Sequence, residues 1–411
     1  MQHPPLWRNR DFMILWTGET VSELGSSMSF FVFPLVGYSV TGSTTAAALS
    51  GSAFSLGMVA TRLPAGVLVD RWNRRAVLLW SNVSGALLYS SVGVALALGC
   101  LSLGHLVVVA LLTGIAASFF TPAETAALRR VVATDQLPTA FSQNQARRYV
   151  AGLIGPPLGG ALYSVSRAIP FVVDAVTYAV SSLAICLIRT PLPAPERKTR
   201  APLRMRAEIA EGLRFLWSRG FLRAIMLYSA IINFATNALF LVLTLKLLRA
   251  GVHPVAIGSI ETVSAVAGIV GSVAAPTMIR RLATGLLTIG SGLVAAFALS
   301  LMAFTNDVPV IAVLLAIAIF LLPAGNASVS SYLVAFTPDH LQGRIQSTLY
   351  FVGGSLMPVG GLLGGAMLAW FGARPAMLVS ASLVVVSVVP LVLSGDVRDL
   401  PTPDKWDVTP T

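Results

Sequence analysis

Residues 66–99 read GVLVDRWNRRAVLLWSNVSGALLYSSVGVALALG. Asp70, Arg71, Arg74 and Arg75 crowd its start, and from Ala76 to Gly99 no charged side chain follows. A hydrocarbon core about 30 Å thick is crossed by roughly 20 apolar residues in an α-helix. The stretch is a charged turn leading into a helix of bilayer-spanning length.

The same pattern recurs on both sides of it. Apolar segments run over 12–38, 45–69, 76–99, 105–128, 142–166, 170–189, 221–247, 255–279, 285–305, 309–335, 345–371 and 374–394. Of the 411 residues, 55% are hydrophobic and 11% charged, against about 25% charged in soluble domains. The mean hydropathy is +0.79. These features predict an all-α membrane protein of twelve transmembrane helices, with the bilayer as its main partner. Pro122 and Pro323 are expected to interrupt the fourth and tenth helices.

A net charge of +11 would suggest nucleic acid in a soluble chain. Here most of the Lys and Arg fall in the loops of one side, so no nucleic-acid partner is expected. Arg147 and Arg148 count with those loops, and the other side receives Arg167, Lys246, Arg249 and Arg374. The bias places both termini in the cytoplasm of a cell-membrane protein. The first segment holds Glu19 and Glu23, a poor signal-peptide core, and is expected to be retained. Cys100 and Cys186 read as small apolar residues. His3, His105, His253 and His340 form no cluster, so neither a metal nor a cofactor is expected. No nucleotide loop or catalytic triad is present, which argues against an ATP-driven pump and a membrane enzyme.

Residues 190–220 form the sizeable linker, dividing a six-helix half at 1–189 from one at 221–394, with 395–411 as a cytoplasmic tail. Within the linker, Met205, Ile209, Leu213 and Leu216 share one helical face, the pattern of a helix lying on the membrane surface. The halves carry a weak repeat. Pro122-Ala123 recurs as Pro323-Ala324, Asp135-Gln136-Leu137 loosely as Asp339-His340-Leu341, and Pro156 with Gly159 as Pro358 with Gly361. The near-constant offset implies two bundles of one topology. In transporters with parallel repeats, the substrate site lies at the repeat interface near the bilayer midplane.

Glycine at 66 permits close helix approach, and Asp70 ends the second helix where a carboxylate meets a cationic or helix-terminal partner. Arg71, Arg74 and Arg75 suit headgroups or acidic partners. This segment resembles the signature loop of the major facilitator superfamily, Gly-x-x-x-Asp-Arg-x-Gly-Arg-Arg. Asn73 replaces the last glycine, and asparagine also tolerates a left-handed turn. Residues 151–160, AGLIGPPLGG, resemble the family's antiporter motif through Gly155, Pro156, Gly159 and Gly160. The resemblance implies two six-helix bundles, a cytoplasmic gate at Gly66, Asp70, Arg71, Arg74 and Arg75, and efflux of a small molecule by alternating access.

Ser22-Glu23-Leu24-Gly25-Ser26, Thr41-Gly42-Ser43 and Gly343-Arg344 narrow the likeness to the branch holding macrolide-efflux proteins and the enterobactin exporter. One family feature is missing. The fourth-helix arginine of drug:proton antiporters has no counterpart between Leu106 and Glu124.

Glu19 and Glu23, four residues apart, share a face of the first helix. Measured from Phe12, Glu23 lies roughly 16 Å deep, and an ionisable group at that depth is a functional candidate. It is the expected site for a proton or another coupling ion, with Glu19 beside it. Asn233 and Asn237 occupy the matching stretch of the seventh helix as candidate hydrogen-bond donors. Glu261 and Asp174 lie nearer the outer surface, where a solvated vestibule is expected. Arg62 and Glu124 are a candidate inner-gate pair. Import, proton symport and a non-transporting receptor or assembly partner stay open as alternatives, and a monomer is expected.

Overall fold

Asn73 shows how the turn at the end of residues 66–75 is made. Its backbone is extended (φ −65°, ψ 117°) and its side chain accepts a hydrogen bond from the Ala76 amide. It is therefore the N-cap of the third helix. The left-handed conformation expected of it does not occur, because capping a helix start requires an extended backbone.

The computed structural model describes residues 5–69, 72–133, 136–192, 214, 216–336, 348–349 and 351–402. Asp70, Arg71, Gly343, Arg344 and nearly all of the expected linker helix lie outside them. Helices α1 (Arg10–Thr41), α2 (Thr44–Val69), α3 (Arg74–Ala97), α4 (Leu103–Val131), α5 (Leu137–Val165) and α6 (Ile169–Leu187) come first. Then follow α7 (Gly220–Arg249), α8 (Pro254–Arg281), α9 (Thr284–Leu301), α10 (Val308–Phe320), α11 (Leu322–Phe336), α12 (Met357–Phe371), α13 (Ala373–Leu393) and the short α14 (Gly395–Arg398). No strand occurs among the described residues.

Among the described residues, ten spans are long and apolar enough to cross a membrane, α10 and α11 together making one of them. Helices α2 and α5 are also long, at 26 and 29 residues. Their sequences are more polar, through Thr44, Thr45, Ser50, Ser52 and Ser55 in α2 and Asn144, Gln145, Arg147 and Arg148 in α5. Outward-facing side chains such as Leu87, Val94, Leu183 and Phe297 are all more than half exposed, as lipid contact requires.

The two prolines behave differently. Helix α4 runs through Pro122 without a break, against expectation. Pro323 falls in the first turn of α11, just after α10 ends at Phe320. A proline has no N–H and its ring crowds the carbonyl four residues back, so here the span divides at Leu321.

The chain clusters into two units. The first holds residues 1–199 and 251–262. Within it α1 packs on α2, α5 and α6, α3 on α4 and α6, and α2 on α4. Phe12, Leu15, Val69, Leu78, Leu128, Ile185 and Ile188 form part of its buried core. The α2–α4 crossing is close because it is built from reciprocal glycines. A Cβ at Gly57 would collide with the Leu111 carbonyl, and one at Gly114 with the Phe54 carbonyl. Overpacking of this kind costs about 1–3 kcal/mol. Gly114→Val should therefore lower the melting temperature of the purified protein in detergent. Gly152→Val, whose added atom meets nothing within 4 Å, should leave it unchanged. Equal melting of the two variants would refute the close crossing.

The second unit holds residues 200–250 and 263–411. Here α7 packs on α12 and α13, and α9 on α10, α11 and α13. These pairings match α1 on α5 and α6, and α3 on α4 and α6, so the units repeat one helix-packing plan. The first residues of the expected tail fold back on this unit. Val397 and Leu400 are buried, and the carbonyls of Leu400 and Pro401 accept the free N–H groups at the start of α9. Lys246 departs from the loop position expected of it. It lies in α7, 8% exposed, and its Nζ donates to the Met302 and Thr305 carbonyls at 3.0 and 2.6 Å. A cation suits carbonyls at a helix end.

Candidate transport site

The first unit is tied at one end by backbone-directed bonds. Asn9 caps α1 and donates to the Val131 carbonyl at the end of α4. Asp11 accepts from the Arg189 and Thr190 amides and the Thr190 hydroxyl. Arg75 donates to the carbonyls of Ile188 and Thr190, which fastens α3 to the end of α6. This arginine meets carbonyl oxygens rather than the headgroups or acids expected for it. Arg74 is half-buried beside it, and Gly66 lies in the last turn of α2.

Residues of the antiporter-like motif bring backbones together. A Cβ at Gly159 would stand 2.9 Å from the Met28 carbonyl oxygen, and one at Gly155 would overlap Ser27. That face of α5 lies on α1. Another face meets the start of α8, which clusters with the first unit. A Cβ at Gly160 would stand 2.6 Å from the Pro254 carbonyl oxygen, and one at Gly258 2.6 Å from that of Pro156. Small residues permit such approach. Thr262 donates to the Leu153 carbonyl at 2.9 Å in the same contact. In the second unit, glycines Gly360 and Gly364 of α12 press on Phe234 and Ala238 of α7 in the corresponding way.

Glu23 belongs to a charged cluster made by three helices. Arg147 from α5 sits 2.8 Å from Glu124 of α4 and 3.9 Å from Glu23 of α1. Arg148 lies 3.7 Å from Glu124, and Asn144 donates to Glu124 at 3.2 Å. The side chains of Arg147 and Glu124 are 1% and 4% exposed, that of Glu23 39%. Glu23 is thus the reachable carboxyl of the cluster, beside a buried Arg147–Glu124 pair.

Arg147 is not the loop residue that counting placed outside the membrane. Helix α5 begins at Leu137, so Arg147 lies almost three turns inside it. The available signal was a pair of adjacent arginines within a segment of bilayer-spanning length. Glu124 takes α5 arginines as its ion-pair partners, in place of the Arg62 pairing expected for it.

Glu19 has different neighbours from Glu23. It is 4% exposed and accepts a 2.5 Å bond from Ser181 of α6, which in turn accepts from Asn82 of α3 at 2.6 Å. Asp174 is not in a solvated vestibule. It is fully buried against α1, because Gly25 leaves room for it. Glu261 is half-buried in the part of α8 that clusters with the first unit. Asn233 and Asn237 are half-buried in the second unit, and Asn233 donates to the Ser229 carbonyl of its own helix.

Two bundles of one packing plan, small-residue crossings and a charge cluster inside one bundle define a polytopic membrane transporter. The sequence profile of the Major Facilitator Superfamily matches residues 15–361. The chain belongs to that superfamily.

Among curated relatives, the multidrug efflux pump Tap of Mycobacterium tuberculosis is 27% identical over 98% of this chain and 96% of its own length. Macrolide efflux protein A of Streptococcus pyogenes is 25% identical over 56% of this chain and 57% of its own. A bacterial homolog of the human lysosomal transporter Spinster, in an inward-facing occupied conformation, superposes with a TM-score of 0.77. It shares 15% identity and covers 98% of this chain and 100% of that one. A bacterial homologue of the iron transporter ferroportin gives 0.72 at 16% identity, covering 95% and 99%. At such identities these two structures speak to the fold alone. The efflux relatives favour export over import.

Proposed function

We propose that the protein exports a small amphipathic molecule from the cytoplasm by alternating access, driven by a proton gradient. The observation that carries this is the Glu23–Arg147–Glu124 cluster. Glu19, Glu23 and Glu124 set three carboxyls against the guanidiniums of Arg147 and Arg148, and the burial of Glu19, Glu124 and Arg147 disfavours the unbalanced negative charge. One proton balances it. Glu23, the exposed member, is the group that exchanges that proton, and Glu19 is its buried companion. Two efflux relatives support the direction of transport.

In this reading Asn233, Asn237 and Glu261 contribute to substrate handling. Gly66, Asp70, Arg71, Arg74 and Arg75 form the cytoplasmic gate, and Gly155, Pro156, Gly159 and Gly160 the antiporter-like helix contacts of α5. Both termini face the cytoplasm of a cell membrane.

Expression in a bacterial host lacking its own pumps should lower the accumulation of erythromycin or ethidium, and a protonophore should restore it. Accumulation unchanged across a panel of cationic and macrolide probes would refute efflux of such compounds. The orientation has its own test. In a background without Cys100 and Cys186, a cysteine at Gly251 should react with an impermeant thiol reagent added outside intact cells, and one at Ala201 should not. Equal labelling would overturn the topology read from the arginines.

A further inference from the structure

Helix α1 turns a second polar face toward α6. Glu19, Ser22, Ser26 and Ser29 recur along α1, and Asp174, Thr177, Tyr178 and Ser181 along α6, each at helical spacing. All but Ser26 and Tyr178 are buried. Ser181 donates to Glu19 at 2.5 Å, and Ser26 to the Tyr178 hydroxyl at 2.9 Å. Gly25 closes the middle of the contact, since a Cβ there would overlap Thr177 Oγ1 and Asp174 Oδ1. The Ser22–Ser26 stretch thus does two jobs. Glu23 faces the arginine cluster, while Gly25 and Ser26 seat α6.

Asp174 is the unusual member. It is fully buried, and no Lys, Arg or His pairs with it among the described residues. The helices packed against α6 are α1, α3 and α5. The titratable groups nearest Asp174 on them are Tyr89 of α3, with Glu19 and Glu23 further along α1, and Tyr178 lies on α6 itself. None is a cation.

Its hydrogen bonds can be completed as those of a neutral acid. The Thr177 hydroxyl has one hydrogen and lies 2.7 Å from the Asp174 carbonyl oxygen and 3.0 Å from Oδ1. Given to the nearer carbonyl, that hydrogen leaves the Oδ1 contact to be filled by a proton on the carboxyl, with Thr177 accepting. Asp174 Oδ2 and the buried Ser29 hydroxyl beside the carboxyl each lack a well-formed hydrogen bond. A buried carboxylate left so poorly served is strongly disfavoured.

We propose that Asp174 is a second proton-binding site of the first bundle, seated by Gly25, Ser29 and Thr177, and that its protonation is required for gradient-driven transport. Protonated, it lets α1 and α6 close on a dry contact. Ionised, it places an unpaired charge there and favours parting of the helices. Gly25 and Glu23 are two residues apart on α1, so that movement reaches the Glu23 cluster directly. No bond other than that of the proton to the carboxyl oxygen forms or breaks. The role in transport rests on the proton-coupled reading above, whereas the protonation of Asp174 does not.

The test uses the full-length protein in liposomes. Infrared difference spectra taken across a pH step should contain a carboxylic C=O band that Asp174→Asn removes. Thr177→Val should keep that band and move it to higher frequency, because the carboxyl loses its hydrogen-bond acceptor. Ethidium uptake driven by an imposed pH gradient should be lost in Asp174→Asn, with downhill flux retained.

A spectrum unchanged in Asp174→Asn, or a band unmoved in Thr177→Val, overturns the site. A band abolished by sodium ions at constant pH makes it a sodium site and overturns the proton assignment. Wild-type uptake in a variant that has lost the band overturns the transport role. Absence of any gradient response in the wild type would instead defeat the proposed function, and the infrared band would still report on Asp174.

Discussion

Arg147→Leu should leave the protein poorly folded, with a large fall in melting temperature and in yield from membranes. The substitution strands Glu124, 4% exposed, without its 2.8 Å partner. It also removes the cation 3.9 Å from Glu23. Removing one member of a buried pair costs about 3–5 kcal/mol, much of it the burden of the uncompensated charge. Arg148 cannot take over fully, because it is 44% exposed and 3.7 Å away. The double variant Arg147→Leu/Glu124→Gln removes the stranded charge with its partner and should recover most of the stability. Melting curves of the four proteins make a double-mutant cycle. Strictly additive losses would show that the two side chains do not depend on each other.

Much of this architecture was legible in the chain, and the exceptions have physical causes. Charge-free stretches gave the spans, since length and apolarity are what a bilayer demands. The repeated prolines gave the twofold plan, yet Pro122 and Pro323 behave differently. Whether a helix continues past a proline depends on what its neighbours supply to the freed carbonyls, which local sequence does not record.

Arg147 falls five residues into the apolar run 142–166, yet counting charges set it with the loops; α5 begins at Leu137, which places it well inside the helix. Glu19 and Glu23 lie about 40° apart around α1, by the 3.6-residue turn. That modest angle puts one against α6 and the other against the α4–α5 arginine cluster, so a shared face was not a shared environment. Asp174 stands near the start of its helix and looked solvated. Gly25, a residue 149 positions away, makes the space that buries it.

Glu23→Gln should abolish uphill transport while leaving the protein folded. Glutamine keeps the size of the side chain and most of its hydrogen bonding but cannot take up or release a proton. Because Glu23 is the exposed edge of its cluster and 3.9 Å from Arg147, its loss should disturb stability far less than loss of Arg147. What disappears is the exchange of a proton with the medium. Alternating access itself depends on populations of states that differ by a few kcal/mol, so substrate should still run downhill.

The measurement is ethidium uptake into inverted vesicles containing reconstituted wild-type or Glu23→Gln protein, with and without an imposed pH gradient. The account predicts gradient-driven accumulation in the wild type and only equilibration in the variant. Accumulation by Glu23→Gln in response to the gradient, at the wild-type level, would contradict it.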